Sequence, residues 1–307
     1  MARCRLAPNL PCPRRNPMDG YYINLDRSPE RRRAMDAQLA RLGMPWVHRF
    51  AAVDGAALAV PSQCAISAGE LACFASHARA IAAPSAGGFR LVFEDDVEIA
   101  EDLPAIVQGF GLAQLEAYDL VFLDCQPQVN ATAVMTLWNC LQTHRTDAKT
   151  GRVSGANIYN ADSLYHFGAT AYIVTPAGRA RLPGLLQQAL NEGPALPIDL
   201  WFARMGHEKQ LRLAVIAPFL ATPTLASYAA STLLERPAAP EEIVGMNALR
   251  RMFFAGPWEP ADTYSQAWRA QRHSDDPQLN LLTALFMKMT ARGFVAEATM
   301  AMKSGLS

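Results

Sequence analysis

Apolar residues along this chain keep two rhythms. Short, mainly apolar runs at residues 21–25, 47–52, 89–93, 119–123, 169–174 and 213–217 have strand length. The continuous apolar stretch in the run at 119–123 suits a strand covered on both faces. Between them, apolar residues recur every three or four positions: Met35, Leu39 and Leu42; then Leu71, Phe74, Ala78 and Ile81; then Leu182, Leu185, Leu186 and Leu190. That spacing is one face of a helix. Local punctuation agrees. Ser28-Pro29 and Thr175-Pro176 are helix starts, and Gly43 closes the first helix. Ser67-Ala68-Gly69-Glu70 is a capping box. Residues 84–88 read as a turn, and 126–165 as a polar, irregular loop. Alternating strands and helices predict one α/β layered, Rossmann-like domain over 18–232. Residues 234–240 read as a linker. Beyond them Leu249, Met252 and Phe253, then Leu281, Leu282, Leu285, Phe286 and Met289, predict a helical C-terminal extension over 233–307.

Composition narrows the class without changing this outline. Half of the 307 residues are hydrophobic, 18% are charged, and formal net charge is zero. A neutral chain has no overall field to gather nucleic acid. Six cysteines form no C-x-x-C pair, so their spacing predicts reduced thiols in a cytoplasm and not a zinc site. Cys73 reads as small and apolar, with no base beside it. Residues 1–17 carry four prolines and four arginines and no apolar stretch. They predict a disordered leader, with Met18 as the working start. No run reaches the roughly 18 apolar residues of a membrane span. Residues 279–302 come nearest, but Lys288, Arg292 and Glu297 interrupt them.

The chemistry concentrates at Glu94-Asp95-Asp96, directly after the run at 89–93. Adjacent carboxylates raise one another's pKa values unless a cation compensates. Mg²⁺ or Mn²⁺ prefers such oxygens and keeps positions for water or phosphate. Ligands of open α/β sheets bind beyond the carboxyl ends of the strands, where this triplet falls. The alternative is a solvated turn in which an Asp caps a short helix.

Four blocks, in order, resemble glycosyltransferase family 25, which includes lipooligosaccharide and LPS β-galactosyltransferases. The first is Ile23-Asn24-Leu25-Asp26-Arg27-Ser28 with Glu30-Arg31-Arg32, and the second runs from Gly69 to His77. The third is Leu91-Val92-Phe93-Glu94-Asp95-Asp96-Val97. The fourth runs from His166 to Val174 and is followed by Pro197-Ile198-Asp199. The resemblance implies a GT-A type fold and a nucleotide-sugar donor, UDP-galactose in the best-known members. It also implies Mn²⁺ or Mg²⁺, inversion at the anomeric carbon and a glycan acceptor, lipid-linked or free. A cytoplasmic protein, peripheral to the inner membrane, would follow.

The same resemblance distributes roles. Glu94 and Asp96 are the expected cation ligands, with Asp95 turned toward the donor. Asp199 is the expected catalytic base, against a donor-sugar contact or a plain helix cap. Asn24, Arg27 and one of Arg31 or Arg32 are expected at the nucleotide, because a planar guanidinium can hold two diphosphate oxygens. Asp54 is expected at uridine or ribose, against a plain Asp-Gly turn. His77 and His166 are expected near the diphosphate, against packed histidines. Trp138, Tyr159, Tyr165, Phe167 and Trp201 offer stacking surfaces, against core positions. A carboxylate-dependent glycosidase and a non-catalytic nucleotide-sugar binder are the rival functions. The C-terminal segment is expected to pack against the catalytic domain, against a lid, a dimer contact or a membrane foot.

Overall fold

The apolar runs become strands and the capped stripes become helices. A computed structural model describes residues 18–84, 88–109, 112–128, 130–147, 149–224 and 247–257. The leader, the linker at 234–240 and the stripe beginning at Leu281 lie outside the described residues. In chain order the elements are β1 (Met18–Asn24), α1 (Pro29–Arg41), β2 (Val47–Ala51), α2 (Ala68–Ala82), β3 (Phe89–Glu94), β4 (Val97–Ile99), α3 (Leu103–Gly109), α4 (Leu112–Leu115), β5 (Leu120–Phe122), β6 (Gln126–Pro127), α5 (Ala131–His144), β7 (Asn157–Asn160), β8 (Tyr165–Phe167), β9 (Ala171–Val174), α6 (Pro176–Glu192), α7 (Ile198–His207), β10 (Leu213–Ala217) and β11 (Ala221–Pro223).

Seven strands make one mixed sheet in the order β2-β1-β3-β9-β5-β10-β7. β1 pairs in parallel with β2 and β3, and β5 with β10. β9 runs antiparallel between β3 and β5, and β7 antiparallel beside β10. The ribbons β4–β11 and β6–β8 flank the sheet. The expected α/β layers are present.

Strand alternation sorts side chains onto two faces. Val92, Phe122, Tyr172 and Val215 meet buried residues of α2, α6 and α7. Leu91, Phe93, Ile173 and Ile216 meet those of α1 and α3 on the other face. Residues 247–257 belong to these same cores: Ala248, Leu249, Met252 and Phe253 join the first, Phe254 and Ala255 the second.

Local chemistry fixes the helices that matter for the site. Gly43 sits just past α1 with φ of 66°, the left-handed conformation that helix ends favour. In α2, the Ser67 side chain accepts from the Glu70 N–H while Glu70 accepts from the Ser67 N–H. The other end of α2 is held by Arg90, which is fully buried on β3. Its guanidinium donates to the carbonyls of Ala80, Ile81, Ala83 and Pro84, and pairs with Asp19 at 2.9 Å. These bonds satisfy carbonyls that a helix end leaves without partners. At α6, a Cβ on Gly178 would lie 2.0 Å from the Asp119 carbonyl. Only glycine lets that helix start close over β5.

One expectation fails here. Residues 126–165 are not an irregular loop: they hold β6, β7, β8 and the 14-residue α5. Asn130 caps α5 by accepting from the Ala133 N–H. Its buried stripe is Ala133, Leu137, Cys140 and Leu141. Apolar residues do recur at helical spacing here, but the Thr, Asn and Gln between them and the Gly, Asn and Thr of the flanking chain obscure the stripe.

Candidate active site

The parallel strands β1, β2 and β3 end side by side, with Asn24 opposite Ala51 and Ile23 opposite Glu94. Their carboxyl ends deliver Asn24 and the Glu94-Asp95-Asp96 triplet to one edge, and the first turn of α1 adds Arg31. Asn24 is buried and donates through Nδ2 to Asp95 Oδ2 at 2.6 Å. Arg31 Nη1 lies 3.1 Å from Asp95 Oδ1 and 3.5 Å from Asp96 Oδ2.

The three acids therefore differ. Asp95 accepts from Asn24 and is paired with the Arg31 guanidinium. Asp96 keeps a fifth of its side-chain surface exposed, yet its Oδ1 is enclosed with no hydrogen-bond partner. Burial, reinforced by the charge of Glu94, pushes the Asp96 carboxyl up to about 7, against the pull of Arg31. Glu94 turns to α2, where its Oε1 lies 3.3 Å from His77 Nε2. The His77 ring is buried, and its Nδ1 lies 2.8 Å from the Tyr172 hydroxyl on β9. Burial raises the Tyr172 phenol well above its ordinary value, so it stays neutral.

Several members of this constellation carry no sequence signal. Arg49 on β2 donates to Asn24 Oδ1 at 2.8 Å and reaches Asp26 at 2.5 Å. The buried Arg250 pairs with Asp124 and donates to the Thr170 hydroxyl at 3.0 Å. Thr170 in turn donates to Asp124 at 2.9 Å, and its carbonyl accepts the Glu94 N–H at 2.8 Å. Pairings between positions 23 to 126 residues apart leave no local pattern. Cys73 requires a correction. It lies one helical turn before His77, and Cys73, His77 and Glu94 place their ligand atoms within 4.8 Å of one another. The imidazole beside Cys73 is its i+4 neighbour on α2.

The other expected residues lie around this centre. Arg27 and Asp54 form their own pair at 2.9 Å. The hydrogen bond from Arg27, then that from the Ala56 N–H, holds the Asp54 carboxyl below its ordinary value. Arg32 faces Asp36 at 3.7 Å on the outer side of α1, so of the two arginines Arg31 is the one at the acids. His166 is exposed on β8 against the Phe167 ring. Asp199 opens α7, where its Oδ1 accepts from the Leu200 N–H at 2.9 Å. The Tyr165 hydroxyl donates to the carbonyls of Gly168 and Asp199, tying that helix start to the chain leading into β9. Of the aromatic set, Tyr165 and Trp201 are core, while Trp138 is 38% exposed.

As a group, these side chains make a carboxylate centre with one enclosed, unbonded oxygen, bordered by guanidinium groups. Such a centre suits a hard cation and a diphosphate. Among solved structures, mouse xyloside xylosyltransferase 1 in its apo form aligns at 10% identity with a TM-score of 0.27. The alignment covers 64% of this chain and 63% of that one, less than two thirds of its length. That likeness is too slight to define fold or function. No curated protein matches the chain. The profile of glycosyltransferase family 25 (LPS biosynthesis protein) matches residues 18–201, more than half of the chain and all of the strand ends just described. This protein belongs to glycosyltransferase family 25.

Proposed function

We propose that this glycosyltransferase moves galactose from UDP-galactose onto a lipooligosaccharide, LPS or other surface-glycan acceptor, with inversion at the anomeric carbon. The observation that carries the reading is the Asp96 carboxylate, held with an unbonded inner oxygen beside Glu94 and Arg31. A protein gains nothing from such a group unless a ligand completes it. The donor set is all oxygen at this point, which fits Mg²⁺ or Mn²⁺ held by Glu94 and Asp96. The bound cation would supply neutralisation of charge on the leaving diphosphate.

The chain's own residues then divide the remaining tasks. Arg31 lies across Asp95 and Asp96 and offers its guanidinium to diphosphate oxygens. Asn24, fixed by Arg49, holds Asp95 in place, so that the acids are positioned before the donor arrives. The acceptor hydroxyl attacks the anomeric carbon as the bond to the diphosphate oxygen breaks, and its proton passes to Asp199. Arg27 and Asp54 border the nucleoside, and His166 stands at the rim. Among the described residues no helix is long and apolar enough to cross a membrane. We place the enzyme in the cytoplasm, at the inner membrane face where lipid-linked acceptors are exposed.

The test is incubation with UDP-galactose, Mn²⁺ and a panel of glycan acceptors. UDP should form only when an acceptor is present, together with a β-linked product. Asp96→Ala should lower the rate by about 10²-fold or more, the scale of losing a main charge-stabilising group. Free galactose released without acceptor would identify a hydrolase instead. Metal-independent UDP binding with no transfer would identify a non-catalytic binder.

A further inference from the structure

The Cys73–His77–Glu94 cluster has a chemistry the carboxylate centre lacks. Cys73 and His77 occupy one face of α2, one turn apart, and Glu94 reaches them from the end of β3. Their sulfur, nitrogen and oxygen atoms all lie within 4.8 Å of one another. Around a tetrahedral zinc ion, ligand atoms stand about 3.3–3.6 Å apart, given ordinary zinc–ligand distances. The His77–Glu94 separation is already 3.3 Å, and closing the set needs only a small side-chain adjustment at Cys73 and Glu94. The imidazole has the partner that metal-bound histidines use. With Nε2 facing the cluster, Nδ1 can carry the proton and donate it to the Tyr172 oxygen, 2.8 Å away. Tyr172 can accept that hydrogen bond, and its stacking on the ring, together with burial of the ring, holds the ring plane.

We propose that Cys73, His77 and Glu94 form a second metal site, selective for a thiophilic divalent ion such as Zn²⁺, with one open position. A thiolate and an imidazole favour Zn²⁺ or Co²⁺ over Mg²⁺ and Mn²⁺. The ion enters from the side of Glu94, which is 31% exposed, since His77 is 1% exposed. Binding releases the thiol proton of Cys73 to solvent and forms one metal–sulfur bond. Glu94 belongs to both sites, so an ion here withdraws it from the oxygen-only set it shares with Asp96. Zn²⁺ and Mn²⁺ are therefore mutually exclusive at Glu94. This last consequence rests on the reading of the Glu94–Asp96 pair given above, whereas binding of the thiophilic ion does not.

The experiment separates the two. Co²⁺ is titrated into the full chain, and the thiolate-to-cobalt charge-transfer band in the near ultraviolet is recorded. We expect the band to saturate at equimolar Co²⁺ and Zn²⁺ to displace it. Cys73→Ala should abolish it, Asp96→Ala should preserve it, and Tyr172→Phe should weaken affinity by about tenfold, the lower end for loss of an orienting partner. No band in the wild-type chain, or a band that survives Cys73→Ala, overturns the site. The conservative Cys73→Ser variant, which keeps the side-chain volume, must also lose the band. Mn²⁺ binding followed by electron paramagnetic resonance supplies the second arm. Zn²⁺ should displace Mn²⁺ from the wild type at about tenfold or more lower concentration than from Cys73→Ala, where it competes only as a direct rival for the carboxylates; equal displacement in the two overturns the shared use of Glu94. Absence of Mn²⁺ binding altogether counts against the Glu94–Asp96 reading and leaves the cobalt result to decide the thiophilic site.

Discussion

The surroundings of Asp96 cost the fold stability. Its carboxyl titrates near 7 in the folded protein, because burial and Glu94 oppose its charge, and near 4 in an unfolded chain. Between these values the native state holds a proton that the unfolded state has released. Cation-free protein must then lose stability as pH rises from about 4 to 7. Asp96→Asn removes that penalty. In chelator at pH 8, denaturant unfolding should show the variant more stable by on the order of 1–3 kcal/mol, although it no longer transfers sugar. A variant less stable than wild type under those conditions would mean that Asp96 is satisfied in a way its enclosed Oδ1 does not suggest. At this scale the sequence was informative where a side chain follows a strand end. Asn24, Arg31 and the acidic triplet are legible because chain order places them at the carboxyl edge. Arg49, Tyr172, Asp124 and Arg250 are not, since each meets its partner through tertiary pairing. Arg31 and Arg32 could not be told apart, as adjacent helical positions differ by about 100° of rotation, which only the packed helix resolves.

Elements are held by contacts that reach across the sheet. Asp119 opens β5, and its fully buried carboxylate accepts from the Arg212 backbone and side chain and from Arg181 on α6. Burial alone would raise its pKa, but the Arg212 hydrogen bonds and both guanidinium charges outweigh it and hold the carboxyl below its ordinary value. The sign is opposite to that at Asp96. Asp119 adds stability above the unfolded value near 4, and that stability is lost as pH falls through its lower folded value. Asp119→Asn should cost about 1.5–3 kcal/mol at pH 7 and flatten the acid limb of a stability–pH curve. Ser67→Ala should cost about 1 kcal/mol by opening the capping box of α2, measurable as a lower midpoint in urea. Element starts were the most legible part of the fold, because caps and prolines act within a few residues. α5 was not, since Thr, Asn and Gln interleave its stripe of Ala133, Leu137, Cys140 and Leu141. The antiparallel direction of β9 was not either, because a buried strand reads the same in both orientations.

On the scale of the whole molecule, the stretch at 247–257 carries the folded unit past residue 232. Leu249, Met252 and Phe253 sit in one core, Phe254 in the other, and the buried Arg251 donates to Glu98 at 2.7 Å across the β4–β11 ribbon. A chain cut after residue 232 forfeits all of them, and a single buried Phe→Ala change already costs about 3–5 kcal/mol. Such a truncation should be insoluble or lack a cooperative thermal transition, whereas a well-folded fragment would show these contacts to be dispensable. Sequence rhythm marks Leu249, Met252 and Phe253 as a helical stripe expected to pack against the domain, but periodicity says which face is apolar and not which residues cover it. Arg90 has a further bearing on how the enzyme can move. Strand β3 grips the end of α2 through this one guanidinium, four positions before Glu94, while Glu94 itself meets His77 on the same helix. Helix and strand are thus riveted at two points and travel as one plate. Any opening that admits a sugar donor must hinge elsewhere, in the connections outside that plate.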